Sequence, residues 1–284
     1  MEHNDPAIDV EDQGKDRGPV ARFFMSGWSN LVRLMAANAL YVIFNIPAIL
    51  FAGYLALIFV PWIAPSFIDV QSYIDPVTGN DDAVLNLFFL LDIFLINFLL
   101  CGALICIGPF QAGFAQCYKD IRNGTSVSFF SSFKAGMSSC WKKGLISMIL
   151  GFVFTPVLLL ATGFYLNMKT PLGTVIGAVF IVLTFAFILI QNFVYTLMVS
   201  TDLKLGKIYK NALLFVLIRF IPCLGATLVI LVFYVVIPFV LLTSASYLTL
   251  GIFMFLYSFL VISWVQYFLS YFTGSLIDRY VASE

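Results

Sequence analysis

The chain has a single histidine, His3, close to its N-terminus. Nothing in the long apolar remainder can therefore act as an imidazole base or an imidazole metal ligand. Charge is also scarce. Of the 284 residues 11% are charged, fifteen basic against fifteen acidic, where a soluble domain carries about 25%. No GxSxG, HExxH or phosphate-binding glycine loop occurs. Together these absences predict no enzyme activity and no cofactor, and the charge balance predicts no nucleic-acid partner. The five cysteines, Cys101, Cys106, Cys117, Cys140 and Cys223, form an odd set without a CxxC pair. They read as small buried hydrophobes rather than as a disulfide framework or a metal site.

What the chain has in excess is apolar surface. Hydrophobic residues make up 61% and aromatic residues 17%, with a mean hydropathy of +1.00, a composition that belongs in a lipid bilayer. Apolar runs cover residues 31–62, 83–107, 144–166, 172–199, 217–242 and 247–273. A hydrocarbon core of about 30 Å needs roughly 20 helical residues. Each run is long enough, so the expected fold is all-α: a polytopic bundle of six transmembrane helices. The first run is too long for one upright helix, which predicts a kink at Pro47 with the early part along the interface. Residues 1–20 hold six acidic residues against Lys15 and Arg17 and are punctuated by Pro6, Gly14, Gly18 and Pro19. They are expected to form a disordered acidic cytoplasmic tail ahead of a single transmembrane domain, 21–284. Lacking a basic n-region followed by an apolar stretch, the tail is not expected to be a cleaved signal.

Basic residues orient the bundle. Fourteen of the fifteen lie in segments that six spans place on one side, and Lys169 alone lies on the other. The positive-inside rule makes that populated side, with both termini, cytoplasmic. On that side the segments leading into each odd-numbered span look amphipathic. Phe24, Trp28 and Leu31 recur at helical spacing opposite Arg22, Ser26, Ser29 and Arg33. After Gly124 the stripe is Phe130, Phe133, Met137 and Trp141, beside Lys134 and Lys142. A weaker version sets Leu205, Ile208, Tyr209 and Ala212 against Lys204, Lys207 and Asn211. Three amphipathic elbow helices lying in the headgroup plane are expected, with Trp28, Phe130, Phe133, Lys134, Trp141 and Lys142 as lipid contacts. An elbow, an outward span and a returning span would make one unit, used three times.

Asp92 is the one carboxylate deep in an apolar run. A charge at mid-membrane costs about 2.5 to 3.5 kcal/mol, so Asp92 should face the bundle and stay protonated or find a partner. With Asn97, Asn45, Gln191 and Asn192 it makes a candidate intramembrane polar site, extended by Asn38 and Gln266. Such residues serve either as glue between helices or as a solute path. Gly173 and Gly177, and Ala48, Ala52 and Ala56, have the spacing of close helix contacts, within the bundle or in a homo-oligomer. The acidic loop from Asp75 to Asp82 lacks calcium-loop spacing, and Asn123-Gly124-Thr125 would be cytoplasmic, where glycosylation does not reach.

Gly108-Pro109-Phe110-Gln111-Ala112-Gly113, running on to Tyr118, Lys119, Arg122 and Gly124 and then into Phe129-Phe130-Ser131-Ser132-Phe133-Lys134, resembles the YesL-like family of bacterial integral membrane proteins. Lys210-Asn211-Ala212-Leu213-Leu214 through Arg219 and Pro222 resembles a second signature of that family. The resemblance implies a bacterial cytoplasmic membrane and a setting of carbohydrate uptake beside ABC-type sugar transporters; it implies no catalytic residue. Two classes of function follow: an accessory or scaffold protein binding lipid and a transporter through its elbows, or a small-solute carrier or channel working through Asp92 and the Asn/Gln set.

The topology is directly testable. In a cysteine-free background, Ser72→Cys should react with an impermeant thiol reagent in intact cells, and Ser126→Cys should not. Labelling at position 126 would invert the threading.

Overall fold

The computed structural model describes residues 18–63, 108–125, 127–243 and 247–280, and no strand occurs among these described residues. The helices are α1 (Pro19–Ser29), α2 (Leu31–Ile63), α3 (Pro109–Arg122), α4 (Phe129–Ser139), α5 (Trp141–Asn167), α6 (Pro171–Ser200), α7 (Leu205–Ile218), α8 (Phe220–Leu231), a π-helical turn (Val232–Val236), α9 (Ile237–Thr243), α10 (Tyr247–Phe259) and α11 (Val261–Tyr280). The body begins at Pro19, slightly inside the segment assigned to the tail. Residues 1–17 and the apolar run 83–107 lie outside the described residues.

Helices α5 and α6 are each long and apolar enough to cross a membrane. Three bent pairs pass the same test together, which makes up to five spans among the described residues. Side chains along the spans, such as Val153, Val157, Val179 and Val182, are exposed without polar cover, as in a membrane-embedded protein. Gly173 and Gly177 serve contacts inside the chain: a Cβ at Gly177 would meet Leu166 of α5 at 2.7 Å. The side chains of Ala48, Ala52 and Ala56 lie outside the described set.

The bends sit at single residues. Pro19–Ser29 meets Leu31–Pro47 at 76° and Leu205–Ile218 meets Phe220–Tyr234 at 98°. The linking residues, Asn30 (φ −110°, ψ 22°) and Arg219 (φ −119°, ψ 42°), share a backbone conformation with Cys140 (φ −110°, ψ 15°), which joins α4 to α5. Each still donates its N–H to the helix behind it, Asn30 to Gly27 O at 3.3 Å, Cys140 to Gly136 O at 3.2 Å and Arg219 to Phe215 O at 2.9 Å. Each also accepts from the helix ahead, from Leu34, Gly144 and Cys223. A single residue near the bridge region thus turns the chain while its own N–H and C=O stay bonded, which is the condition for a bend in apolar surroundings. The first of these bends lies at Asn30, ahead of the apolar run. Near Pro238, the missing N–H and the ring's clash with the carbonyl four residues back are met by the wide turn Val232–Val236, where Ile237 N bonds Val232 O. The run 247–273 is divided in the same manner, α10 meeting α11 at 44°.

Helix α3 organises the interior, although it is short and the least apolar of the helices. Its Pro109 starts the helix after Gly108, whose φ of 56° and ψ of −115° suit glycine. Gln111, Ala112, Phe114, Cys117, Tyr118 and Ile121 are all buried. Phe114, Cys117, Tyr118 and Ile121 pack with Leu34, Ala37 and Tyr41 of α2, Phe133 of α4 and Tyr267 of α11. The approach to α4 leaves no room for a Cβ at Gly136: it would stand 2.7 Å from Ala112 O and 3.1 Å from Gly113 Cα.

Gly136→Ala should therefore destabilise the chain by about 1 to 3 kcal/mol through forced separation of α3 and α4. Gly225→Ala, with open space around its Cβ, should stabilise α8 by about 0.5 to 1 kcal/mol. Thermal unfolding in detergent reads both. Equal effects from the two substitutions would contradict this packing.

Candidate functional site

The polar side chains of the interior meet where α3, α6 and α11 cross. A cavity of about 20 Å³ lies there, lined by Gln111, Tyr118, Gln191, Asn192, Gln266 and Ser270, with Tyr195 and Thr196 beside them. Gln111 Nε2 donates to Gln266 Oε1 at 3.3 Å, and Gln266 also hydrogen-bonds the Tyr234 phenol. Gln111 Oε1 and Ser270 Oγ are buried without a protein partner. A buried water needs roughly 10 to 15 Å³ and two or more polar partners, so this cavity has the size and lining for one water.

Two chains of hydrogen bonds run outward from it. On one side Tyr118 Oη and Ser263 Oγ lie 3.1 Å apart, Ser263 N donates to Asn38 Oδ1 at 2.8 Å, and Asn38 Nδ2 donates to Tyr257 O at 2.8 Å. Helices α3, α11, α2 and α10 are thereby tied together. On the other side Tyr209 Oη donates to Gln191 Oε1 at 3.4 Å and lies 2.8 Å from Ser147 Oγ, which joins α7, α6 and α5. The end of α3 is anchored by Lys119 Nζ, which donates to Val199 O of α6 at 2.9 Å. In apolar surroundings such bonds are worth roughly 0.6 to 2 kcal/mol each.

The sequence-derived polar set is only partly brought together. Gln191 and Asn192 line the cavity with Gln266, and Asn38 reaches it through Ser263 and Tyr118. Asn45 is buried elsewhere on α2 and donates to the carbonyl of Tyr41 at 2.9 Å, one turn back in its own helix. Asp92 and Asn97 lie outside the described residues. Gln111, Tyr118, Ser263 and Ser270 belong to the network without having been singled out as site residues. The available signal was the spacing of Ser263, Gln266 and Ser270, which at three and four residues puts a polar stripe on one face of an apolar helix.

The site supplies neutral amide and hydroxyl groups. Among the described residues no group of three or more His, Cys, Asp or Glu side chains is placed to hold a metal ion. On α3, which is outside the span-like helices, burial first and nearby Asp120 second push the Cys117 thiol up to about 12, so it stays protonated and inert at neutral pH. Burial likewise pushes the Tyr118 phenol up, against the opposing hydrogen bond from Ser263. Cys117, Cys140 and Cys223 are free and buried.

The elbow residues have a different environment. Trp28 (71% exposed), Phe130 (68%) and Trp141 (47%) stand on the outside, as do Lys134 and Lys142. Phe133 is a correction to the expected lipid contacts. It lies in the core, its ring edge-on to Phe114 at 4.9 Å and stacked with Phe44 at 6.0 Å. Phe130 and Phe133 are about 60° apart around α4, and the boundary of burial against α3 passes between them.

Comparison of the chain with protein-family models, with curated proteins and with solved structures gives no match.

Gln266→Leu should cost about 1 to 3 kcal/mol by leaving Gln111 Nε2 and the Tyr234 phenol without their partner. Adding Gln111→Leu should recover part of that loss, since both ends of the broken bond are then apolar. Additive losses in a double-mutant cycle of unfolding in detergent would show that the two glutamines act independently.

Proposed function

We propose that the chain is a six-span accessory or scaffold protein of a bacterial cytoplasmic membrane, with both termini cytoplasmic and three elbow helices in the headgroup plane. It binds membrane lipid and a carbohydrate-uptake partner, an ABC-type sugar transporter, and belongs with the YesL-like proteins that its Gly108-Pro109 and Lys210 to Pro222 segments resemble. The observation that carries the reading is the thrice-used helix, hinge and helix at Asn30, Cys140 and Arg219. In each case a short helix leads through one bridging residue into a longer apolar stretch: α2, α5, or α8 continued by its π-helical turn and α9. The short helices leave Phe24, Trp28, Phe130, Leu214 and Leu217 exposed, beside exposed Lys134, Lys207 and Lys210. Aromatic and basic side chains together suit a headgroup layer or a partner resting on it.

A second reading, a small-solute carrier or channel, rests on the gathering of Gln191, Asn192 and Gln266 around one cavity. At about 20 Å³ that cavity suits a water. The first reading is therefore the stronger.

Purification of the full chain from its own membranes in mild detergent tests both. A transporter should be recovered in stoichiometric amount. Changing Phe24, Trp28, Phe130 and Trp141 together to Ser should lower that recovery several-fold while membrane insertion persists. Unchanged recovery would sink the scaffold reading. For the second reading the decisive result is gradient-driven solute uptake in reconstituted vesicles that is lost on Asp92→Asn; the scaffold reading expects no such uptake.

A further inference from the structure

The break between α10 and α11 is closed by a side chain from another part of the fold. Leu260, the residue at the break, keeps its own backbone bonds: its N–H donates to Leu256 O at 2.8 Å and its carbonyl accepts from Trp264 N at 3.2 Å. In a continuous helix each N–H bonds the carbonyl four residues back, so Val261 N would meet Tyr257 O and Ser263 N would meet Phe259 O. The bend of 44° at Leu260 takes both pairs apart. Asn38 of α2, fully buried, stands in the gap. Its Nδ2 donates to Tyr257 O at 2.8 Å and its Oδ1 accepts from Ser263 N at 2.8 Å. One amide thus serves a freed carbonyl and a freed N–H at once, as a peptide group would, where no bulk water can do so.

The same backbone groups have a second way to be satisfied. With Asn38 withdrawn and the helix straightened, Tyr257 O and Ser263 N regain partners within the helix, and Leu260 keeps the bonds it has. What the straight form leaves unpaired is the Asn38 amide, buried and therefore costly. Preference for the bend accordingly resides in that one side chain. Asn38 lies eight residues along α2 from the hinge at Asn30, about 12 Å. On the other side of the break Ser263 Oγ lies 3.1 Å from Tyr118 Oη, which lines the polar cavity.

We propose that the α10–α11 bend is a two-state hinge, locked in its bent form by Asn38 and released to a straight helix when α2 withdraws that side chain. A displacement of α2 at the first elbow is thereby converted into a swing of α11, the helix that carries Ser263, Gln266 and Ser270 to the interior. The hinge does not depend on what the elbows bind.

The experiment measures the distance between spin labels at Leu248→Cys and Ser275→Cys, both exposed positions, in the full chain in detergent with its five native cysteines replaced. Arms of twelve and fifteen residues meeting at 44° put the two backbone positions about 38 Å apart, against about 41 Å in a straight helix. Asn38→Leu should therefore lengthen the distance by about 3 Å, and Asn38→Ala should do the same where the larger side chain impairs folding. Val261→Pro alone should leave the distance as it is, because proline suits the first position of α11. Added to either Asn38 variant it should restore the shorter distance, since a ring at 261 clashes with the Tyr257 carbonyl only in the straight helix. An unchanged distance in both Asn38 variants would overturn the hinge, as would a lengthening that persists with Val261→Pro or a shift produced by Val261→Pro alone.

Discussion

The approach of α3 to its neighbours is the contact on which the remaining packing depends. A helix of 14 residues cannot cross a bilayer, and on its own it would be marginal. It persists because its Cα trace comes close enough to α4, at Gly136, and to the start of α5, at Gly144, to bury nine of its fourteen residues and leave none fully exposed. A Cβ at Gly144 would lie 3.0 Å from the backbone of Gly108 and Pro109. The same closeness delivers Gln111 and Tyr118 to the centre, where they find Gln266 and Ser263 of α11. Backbone proximity and polar pairing therefore reinforce each other, since the hydrogen bonds require an approach that only small residues permit.

The hinges solve a related problem. A chain that turns through 76° or 98° within apolar surroundings must keep its backbone groups bonded, because an unpaired N–H or C=O there costs several kcal/mol. At Asn30, Cys140 and Arg219 the turn is confined to one residue, with hydrogen bonds retained on both sides. Residue type is not what unites them, since asparagine, cysteine and arginine adopt one conformation. What recurs is the tertiary context, a short helix pressed against the bundle before a long apolar stretch, which after Arg219 is α8 with its π-helical turn and α9. The weak third stripe at Leu205 to Ala212 nevertheless precedes the sharpest of the measured bends.

Legibility in the sequence follows the range of the forces involved. The runs 144–166 and 172–199 correspond closely to α5 and α6 because a span is specified by uniform local composition. Elbow positions were readable from stripes, whereas the single residues at which they bend were not: asparagine, cysteine and arginine at 30, 140 and 219 carry no common local signal. Helix α3 was invisible as a core element, being short, polar and buried only through the fold. The misplacement of Phe133 has the same origin. Its spacing from Phe130 is right for a shared stripe, but α3 covers one side of that stripe and leaves the other. Of the polar residues, those on α6 and α11 converge because the two helices cross, while Asn45, equally polar and equally buried, turns back onto its own helix.

Polar and apolar recognition are consequently placed in different parts of the molecule. The interior holds neutral amides and hydroxyls around a space for one water, which favours fixed helix positions over a solute path. Basic and aromatic groups stand outside, at the elbows, because each short helix presses one face against the bundle and leaves the other uncovered.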